Sequence, residues 1–303
     1  MNRSDQPPVE LKAYAKINWD LHVLGRRPDG FHALDMVMVN VSLHDTLAFT
    51  PCDRFEFACS DPSLPTDAGN LVVKAAQLLA RASGRPCAGR IHLDKHIPAG
   101  GGMGGGSSDG ACALRGLNRL WKLDWPVEKL QPLAAQLGSD VAFFLYGGWR
   151  RCLGRGEIVE TLPGSERWPA VQLLLVIPPL HVATPAVYKA LGAPAWDGKS
   201  GVRDLAVLAR QVEAALAGST SAALGSRNHL TPAALKVEPR LAGVQEVLQA
   251  RYAGRWLMSG SGAVHFALPP EPADDGANLK KALTKACEMD IRVVVATTCA
   301  PEL

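Results

Sequence analysis

The stretch Pro98–Leu114, PAGGGMGGGSSDGACAL, sets six glycines around Met103, adds Ser107 and Ser108, and then turns apolar. Two readings compete for such a run. A flexible linker is bordered by polar, structureless sequence. A phosphate cradle needs a strand leading in and a helix leading out. A helix start aims unpaired N–H groups and the positive end of its dipole at whatever precedes it. Here GRIHLD alternates like a strand before the run, and Ala111, Leu114, Leu117 and Trp121 share one face of a helix starting near Ser107. Glycine adds tolerance of positive φ and lets a ligand approach the backbone closely. The flanks favour the cradle.

Spacing separates this cradle from two common ones. GxxxxGK[ST] is absent, which excludes a Walker-type nucleotide loop. Gly100, Gly102 and Gly105 satisfy GxGxxG, but Pro98 interrupts the entry from the strand, and NRLWKLDWP around Asp124 reads as a helix end. A dinucleotide-dependent dehydrogenase is therefore disfavoured.

Two other stretches hold groups that could do chemistry. AYAKINWDLHVLGRRPDGFHALDMV reads as a hairpin with Ile17, Trp19, Leu21 and Val23 inward and a turn at Pro28–Asp29–Gly30. On that reading Lys16, Asn18 and His32 are incidental surface residues. In QLGSDVAFFLYGG, Asp140 follows a helix end and precedes an apolar run. A carboxylate so placed is either a helix cap or a held general base.

The positioning elements follow from periodicity. Before Gly69 the chain alternates like strands, in LHVLG, MVMVNVSL, DTLAF and RFEFAC. Asn70 suits the cap of a helix LVVKAAQLLARAS, and Pro126 suits the first turn of VEKLQPLAAQL, which stops at Gly138. LPGSERWPA is the expected domain boundary. Beyond it come a strand VQLLLVI and helices at TPAVYKAL, DLAVLARQVEAAL and RLAGVQEVLQARY. A strand–turn–strand RWLMSGSGAVHFAL, a helix NLKKALTKACEM and a strand IRVVVATT follow. Strands and helices in this order suit an α+β sandwich of the split βαβ kind.

Composition bounds the function. With 303 residues, 47% hydrophobic and 20% charged, the chain fits two ordinary globular cores, and a net charge of +3 gives no footprint for nucleic acid. Seven cysteines without a CxxC pair, and an opening MNRSDQPPVELKAYAKIN without an apolar signal core, point to reduced thiols in a cytoplasm. The most apolar run, VQLLLVIPPL, is too short and Pro-broken to span a membrane. His92 and His96 lack an obvious third ligand, so they are read as structural or surface residues rather than a zinc site.

Taken together, AKINWDLHVLGRRPDGFHAL (Ala15–Leu34), the Pro98–Ser108 loop, GSDVAFF (Gly138–Phe144) and MSGSG (Met258–Gly262) resemble the GHMP kinase superfamily, the galacto-, homoserine, mevalonate and phosphomevalonate kinases. The loop alone points to the superfamily; the opening and GSDV segments point to a member whose acceptor alcohol carries a cytidine diphosphate. The resemblance implies an α+β two-domain GHMP kinase fold. Residues 1–165 would form an N-terminal mixed α/β domain with the glycine-rich phosphate loop, and residues 166–303 a C-terminal ferredoxin-like (split βαβ) domain that completes the substrate cleft. It further implies ATP with Mg2+ and a small-molecule substrate, while charge and hydropathy give neither nucleic acid nor membrane as partner.

By the same resemblance, Asp140 accepts the hydroxyl proton while Lys16 orients the hydroxyl and stabilises developing charge. The phosphates fall to Pro98, Ala99, Gly100, Gly101, Gly102, Met103, Gly104, Gly105, Gly106, Ser107 and Ser108. Asn70, Leu71 and Lys95 match positions near the adenine. Asn18 and His32 would bind substrate, Phe31 and Tyr188 would stack on the cytosine, and Thr184 would lie nearby. Trp19 and Ala142 replace a leucine and a proline of the pattern, and no acidic residue is required to hold Mg2+. His229 follows Asn228 where Asp is common, so that segment is left out of the site. The rivals are a sister kinase acting on homoserine or a mevalonate, and a nucleotide-binding protein without chemistry. Lys16 and Asp140 weigh against the latter; Asn18, Gly30–Phe31–His32 and Tyr188 suit a cytidine base.

Overall fold

β1 (Val9–Arg26) and β2 (His32–Thr50) form one long antiparallel hairpin in the computed structural model, which describes residues 8–218, 227–269 and 276–300. The start of the opening stretch, MNRSDQP, lies outside the described residues. The hairpin turns at Pro28–Gly30, where the Arg27 N–H donates to the Phe31 carbonyl at 2.7 Å. Its register slips at Tyr14/Ala15 and again between Asn18 and Asp20. Each bulge moves the alternation to the other face of the sheet. Ala13 and Leu21 thus enter one core, whereas Ala15, Ile17 and Trp19 enter another. Between the bulges, Lys16 and Asn18 are both buried, on the face opposite Ile17. The plain hairpin reading, which would leave them as incidental surface residues, does not hold: the bulges, invisible to a simple period of two, turn them inward. Val23 is only half-buried.

β2 is the hub. It pairs antiparallel with β4 (Gly89–Asp94) along one stretch and with β5 (Arg150–Gly154) along another, and β5 continues to β6 (Ile158–Thr161). β3 (Phe55–Cys59) runs parallel to β4, and α1 (Leu71–Ser83) is the crossover between them. In the C-terminal half the order is β10-β7-β9-β8, from β10 (Arg292–Cys299), β7 (Gln172–Ile177), β9 (His265–Ala267) and β8 (Trp256–Met258). Fourth strand beside first and third beside second is the split βαβ arrangement. β10 pairs with β7 along most of its length and with Asn40 and Val41 of β2 at its end, so it links the two halves. The expected boundary falls in the irregular segment between β6 and β7, which contains a short turn at Ser165–Arg167.

Three cores fill the layers. The first lies under α1, α2 (Gly105–Leu120), α3 (Val127–Leu137) and α4 (Val141–Tyr146). The second joins Ile17 and Trp19 to Leu173, Phe266 and α6 (Leu205–Gly218). The third sits between β7 and the helices α8 (Leu241–Arg251) and α9 (Ala277–Cys287). Trp19 meets Trp149 edge-on at 5.0 Å and lies along Phe266 at 5.9 Å. Where the family pattern has leucine, the larger ring fills the junction of the two halves.

Asn70 caps α1 as expected, accepting from the Val72 N–H at 2.9 Å. α2 begins at Gly105 rather than Ser107, and Trp121 falls just past its end, where the indole donates to the Ala88 carbonyl at 2.7 Å. Pro126 caps α3 from outside its first turn. α4, β5, β6 and α7 (Thr231–Val237) are additional to the elements expected from periodicity. His92 and His96 are both exposed.

Candidate active site

The glycine run is pinned on both sides. The Lys16 N–H donates to the Met103 carbonyl at 3.0 Å, and the Val264 N–H donates to the Gly101 carbonyl at 3.3 Å. The Ser259 hydroxyl donates to the Gly102 carbonyl and accepts from the Asn18 N–H, each at 3.2 Å. Met103, 1% exposed, plugs into the second core. Gly102 has φ +77°, and a Cβ there would lie 2.6 Å from the Ser259 carbonyl oxygen. Gly104 has φ +71°, with its Cβ position 2.8 Å from Phe144 Cζ and 3.2 Å from Lys16 Cγ. Both positions need glycine for conformation and for space. A linker would have neither constraint.

Behind the run, α2 opens with three N–H groups, those of Gly105, Gly106 and Ser107, that lack an intrahelical acceptor. The Ser108 N–H already donates to the Gly104 carbonyl at 2.8 Å, and its hydroxyl donates to the Tyr14 carbonyl at 2.7 Å. Ser108 is buried and does not line the cleft, which corrects its expected place beside the phosphates. The reason is the earlier helix start, which makes Ser108 the fourth helical residue.

Lys16 is 3% exposed. Its ammonium donates to Asn18 Oδ1 at 2.6 Å and stands 3.6 Å from Asp140 Oδ2. Asp140 occupies the N-cap position of α4, yet its φ and ψ are helical and its side chain makes no cap hydrogen bond. Of the two readings of this carboxylate, the side-chain cap is excluded. Asn18 Nδ2 donates to Met36 Sδ at 3.3 Å. From the C-terminal half, the turn 258–262 closes on the same point: a Cβ on Gly260 would lie 3.5 Å from Asn18 Oδ1 and 3.6 Å from Lys16 Nζ.

Asn228, left out of the expected site, holds that turn by donating to the Met258 and Gly260 carbonyls at 2.8 and 2.7 Å. His229 accepts from the Val23 N–H at 3.3 Å and packs 4.5 Å from the His22 ring. The segment is a scaffold under the site. The Asn228–His229 pair supplied no signal for this because its partners lie far away in sequence.

At the other end of the cleft, His32 stacks on Tyr188, with centroids 4.7 Å apart and planes at 30°. Burial, reinforced by the Arg26 charge, pulls the His32 imidazole down from its usual range, so it is neutral at pH 7 with one donor and one acceptor nitrogen. Burial and then the Asp140 charge push the Tyr188 phenol up, and it keeps its proton. Phe31 is 51% exposed at the hairpin tip, with the Arg155 guanidinium 4.7 Å over its ring. Thr184 and Ser261 share a hydroxyl–hydroxyl bond of 2.8 Å beside α5 (Thr184–Leu191).

The third group of expected residues sits where α1 meets α2. Asn70 donates to the Pro65 carbonyl besides capping α1, so its side chain is occupied. Leu71 packs against α2, where a Cβ on Gly110 would lie 3.3 Å from Leu71 Cβ. The Lys95 ammonium is clasped by Asp45 at 2.6 Å and Asp109 at 2.8 Å. Asp45 also accepts from the His96 and Ile97 N–H groups, whereas Asp109 Oδ1 is buried without a partner. Burial pushes the Asp109 carboxyl up to about 7, against the pull of Lys95.

A single cleft of about 1160 Å³ joins these three groups. Apart from Ser108, every residue expected at the site from sequence lines it, together with Arg26, Asp109, Arg155 and Ser261, which were not expected. Among the described residues, no three His, Cys, Asp or Glu side chains cluster to hold a metal ion.

Comparison with known proteins gives a consistent picture. Residues 70–148 match the GHMP kinases N terminal domain. A 4-diphosphocytidyl-2-C-methyl-D-erythritol kinase of Pelotomaculum thermopropionicum is 38% identical over 297 residues, covering 97% of this chain and 99% of its own length. One from Heliobacterium modesticaldum is 40% identical over 269 residues, 84% of each chain. A crystal structure of 4-(cytidine 5'-diphospho)-2C-methyl-D-erythritol kinase matches with a TM-score of 0.71 at 32% identity, covering 96% of this chain and 100% of its own. A mevalonate kinase crystal structure, 11% identical, has a TM-score of 0.66 and shares the fold.

Proposed function

This chain belongs to the 4-diphosphocytidyl-2-C-methyl-D-erythritol kinase family of GHMP kinases, and we propose that Lys16 and Asp140 act at the hydroxyl to be phosphorylated. The enzyme transfers the γ-phosphoryl group of ATP to a hydroxyl of 4-diphosphocytidyl-2-C-methyl-D-erythritol, in the non-mevalonate route to isoprenoid precursors.

Phosphoryl transfer needs alignment and charge stabilisation more than covalent help. The N–H groups of Gly105, Gly106 and Ser107 and the dipole of α2 face the phosphates. Asp140 takes the proton of the acceptor hydroxyl at its free carboxylate. Lys16, fixed by Asn18, orients that hydroxyl and meets the charge growing on the transferred group. The observation that supports these roles best is the Lys16–Asn18–Asp140 cluster, held against the phosphate loop by the Met103 carbonyl. Neutral His32 reads the polar edge of the cytosine, and Phe31 and Tyr188 supply ring faces. Asn70, Leu71 and Lys95 border the adenine end.

Mg2+ keeps several waters and takes most other ligands from phosphate oxygens, so it needs few protein groups. The lining fits such an ion: Ser107 lines the cleft at the start of α2, and its hydroxyl would hold it. When bound, the ion neutralises phosphate charge. The seven cysteines form no disulfide, consistent with a cytoplasmic setting. No helix of the described residues is long and apolar enough to cross a membrane.

The test is ADP release with ATP and Mg2+ over a panel of the cytidyl-methylerythritol compound, homoserine and mevalonate. Turnover with the cytidyl compound and loss of that turnover in Lys16→Met are expected. Full activity of Lys16→Met would refute the assignment of Lys16.

A further inference from the structure

Ser108, Cys112, Arg115 and Arg119 follow one another at spacings of four, three and four residues, so they form one stripe along α2. The stripe does not face the cleft. It forms one wall of a second cavity of about 650 Å³, and the outer part of β1, from Glu10 to Tyr14, forms the opposite wall. Lys12, Arg115 and Arg119 bring three cations to this groove, against one carboxylate, Glu10.

Lys12 and Arg119 are exposed, and Arg115 is the least accessible of the three. Among the described residues, none of the three joins an ion pair or a side-chain hydrogen bond. Arg115 is half-buried, and the groups that act on it are its own burial, the like charge of Arg119 and the Cys112 thiol, with no carboxylate among them. Two guanidinium groups one helical turn apart repel each other, and one of them is partly desolvated. A protein tolerates such a pair most cheaply when an anion bridges it.

We infer that this groove is a second binding site, separate from the catalytic cleft, for a small molecule bearing a diphosphate group. Guanidinium forks match phosphoryl oxygens bidentately. Two forks on residues a turn apart, whose Cβ atoms stand about 5–6 Å from each other, suit two linked phosphoryl groups better than one carboxylate. The groove, at about 650 Å³, has room for such a molecule. The site also adjoins the catalytic machinery through α2. Ser108, at its inner end, donates to the Tyr14 carbonyl two residues before Lys16.

Calorimetric titration of the full chain with inorganic pyrophosphate tests this. Wild type should show two sites, one at the glycine loop and one in the groove. The double variant Arg115→Gln/Arg119→Gln should lose one site, with affinity there reduced at least about tenfold, since two charge-assisted contacts go. It should keep the other site, the wild-type KM for ATP and the wild-type melting temperature. Arg115→Lys/Arg119→Lys should retain weakened groove binding. A single site in wild type, or two unchanged sites in the double glutamine variant, would overturn the inference. So would a parallel rise in the KM for ATP with the fold intact, because the arginines would then serve the cleft.

Discussion

The Lys16 ammonium stands 3.6 Å from the Asp140 carboxylate but makes its shorter contact, 2.6 Å, with Asn18. The pair is therefore near enough for mutual charge stabilisation, while Asp140 keeps lone pairs free for a hydroxyl proton.

Asp140→Asn should leave the geometry intact and remove the base. The expected loss in kcat is about a hundred- to ten-thousandfold, the usual worth of a general base. ATP affinity should change little, because the loop N–H groups are untouched. Single-turnover kinetics with nucleotide titration measures both. A kcat within a few-fold of wild type would leave Asp140 as a structural residue.

Gly102→Ala tests the junction of loop and turn. The new Cβ would meet the Ser259 carbonyl oxygen at 2.6 Å, from a backbone at φ +77°. The strain of such a residue is about 1–3 kcal/mol. A lowered melting temperature and a raised KM for ATP are expected together, because the turn and the loop must move apart. Wild-type values for both would mean that the loop is not clamped there.

Much of this site was legible in sequence because its groups lie in contiguous stretches with strong local rules. Three glycines in the run take positive φ, Asn70 caps its helix, and the hairpin turns where Pro28–Gly30 says it should. Burial of Lys16 and Asn18 was not legible, since it depends on bulges set by cross-strand pairing. Nor was the partner set of Lys95, which comes from Asp45 and Asp109, 50 and 14 residues away in the chain. α4 was missed because six apolar residues between turns have no readable period.

Asp35 illustrates the same limit. It is fully buried and accepts from both Arg151 and Arg203, and Arg203 also pairs with Asp20. Burial alone would raise its pKa, but the hydrogen bonds from the two arginines overcome it and bring it to about 2. Its stabilisation is present above its ordinary 3.8 and is lost as pH falls through about 2. Asp35→Ala removes the carboxylate that the two arginines share, leaving Arg203 only Asp20 and Arg151 only the more exposed Glu160, and should cost about 3–5 kcal/mol in urea unfolding at pH 7. A loss under 1 kcal/mol would show that water replaces the carboxylate.

Tyr188→Ala tests the cytosine end. Base stacking on an aromatic ring is worth about 1–3 kcal/mol, so KM for the cytidyl substrate should rise about five- to a hundredfold. KM for ATP should hold, because the nucleotide lies at the loop. Tyr188 also supports His32 at 4.7 Å, so Tyr188→Phe should restore most of the affinity. A lower melting temperature with both KM values unchanged would make Tyr188 a core residue only.

Asp109 gives the pH prediction. Its carboxyl sits between Lys95, which favours the charged form, and burial beside Asp45, which favours the proton, and burial prevails. The folded protein thus holds a proton up to about pH 7 that the unfolded chain releases near 3.8. Between those values the folded state binds more protons, so stability falls as pH rises. The contribution is complete below about pH 4 and is lost as pH passes through about 7. Asp109→Asn keeps the shape and a neutral group at every pH, so the difference between variant and wild type should change across this window and stay flat outside it. Urea midpoints measured at half-unit steps from pH 4 to pH 8 would trace that difference. Parallel curves for the two proteins throughout would mean that Asp109 is ionised in the folded state, with Lys95 rather than burial deciding its charge.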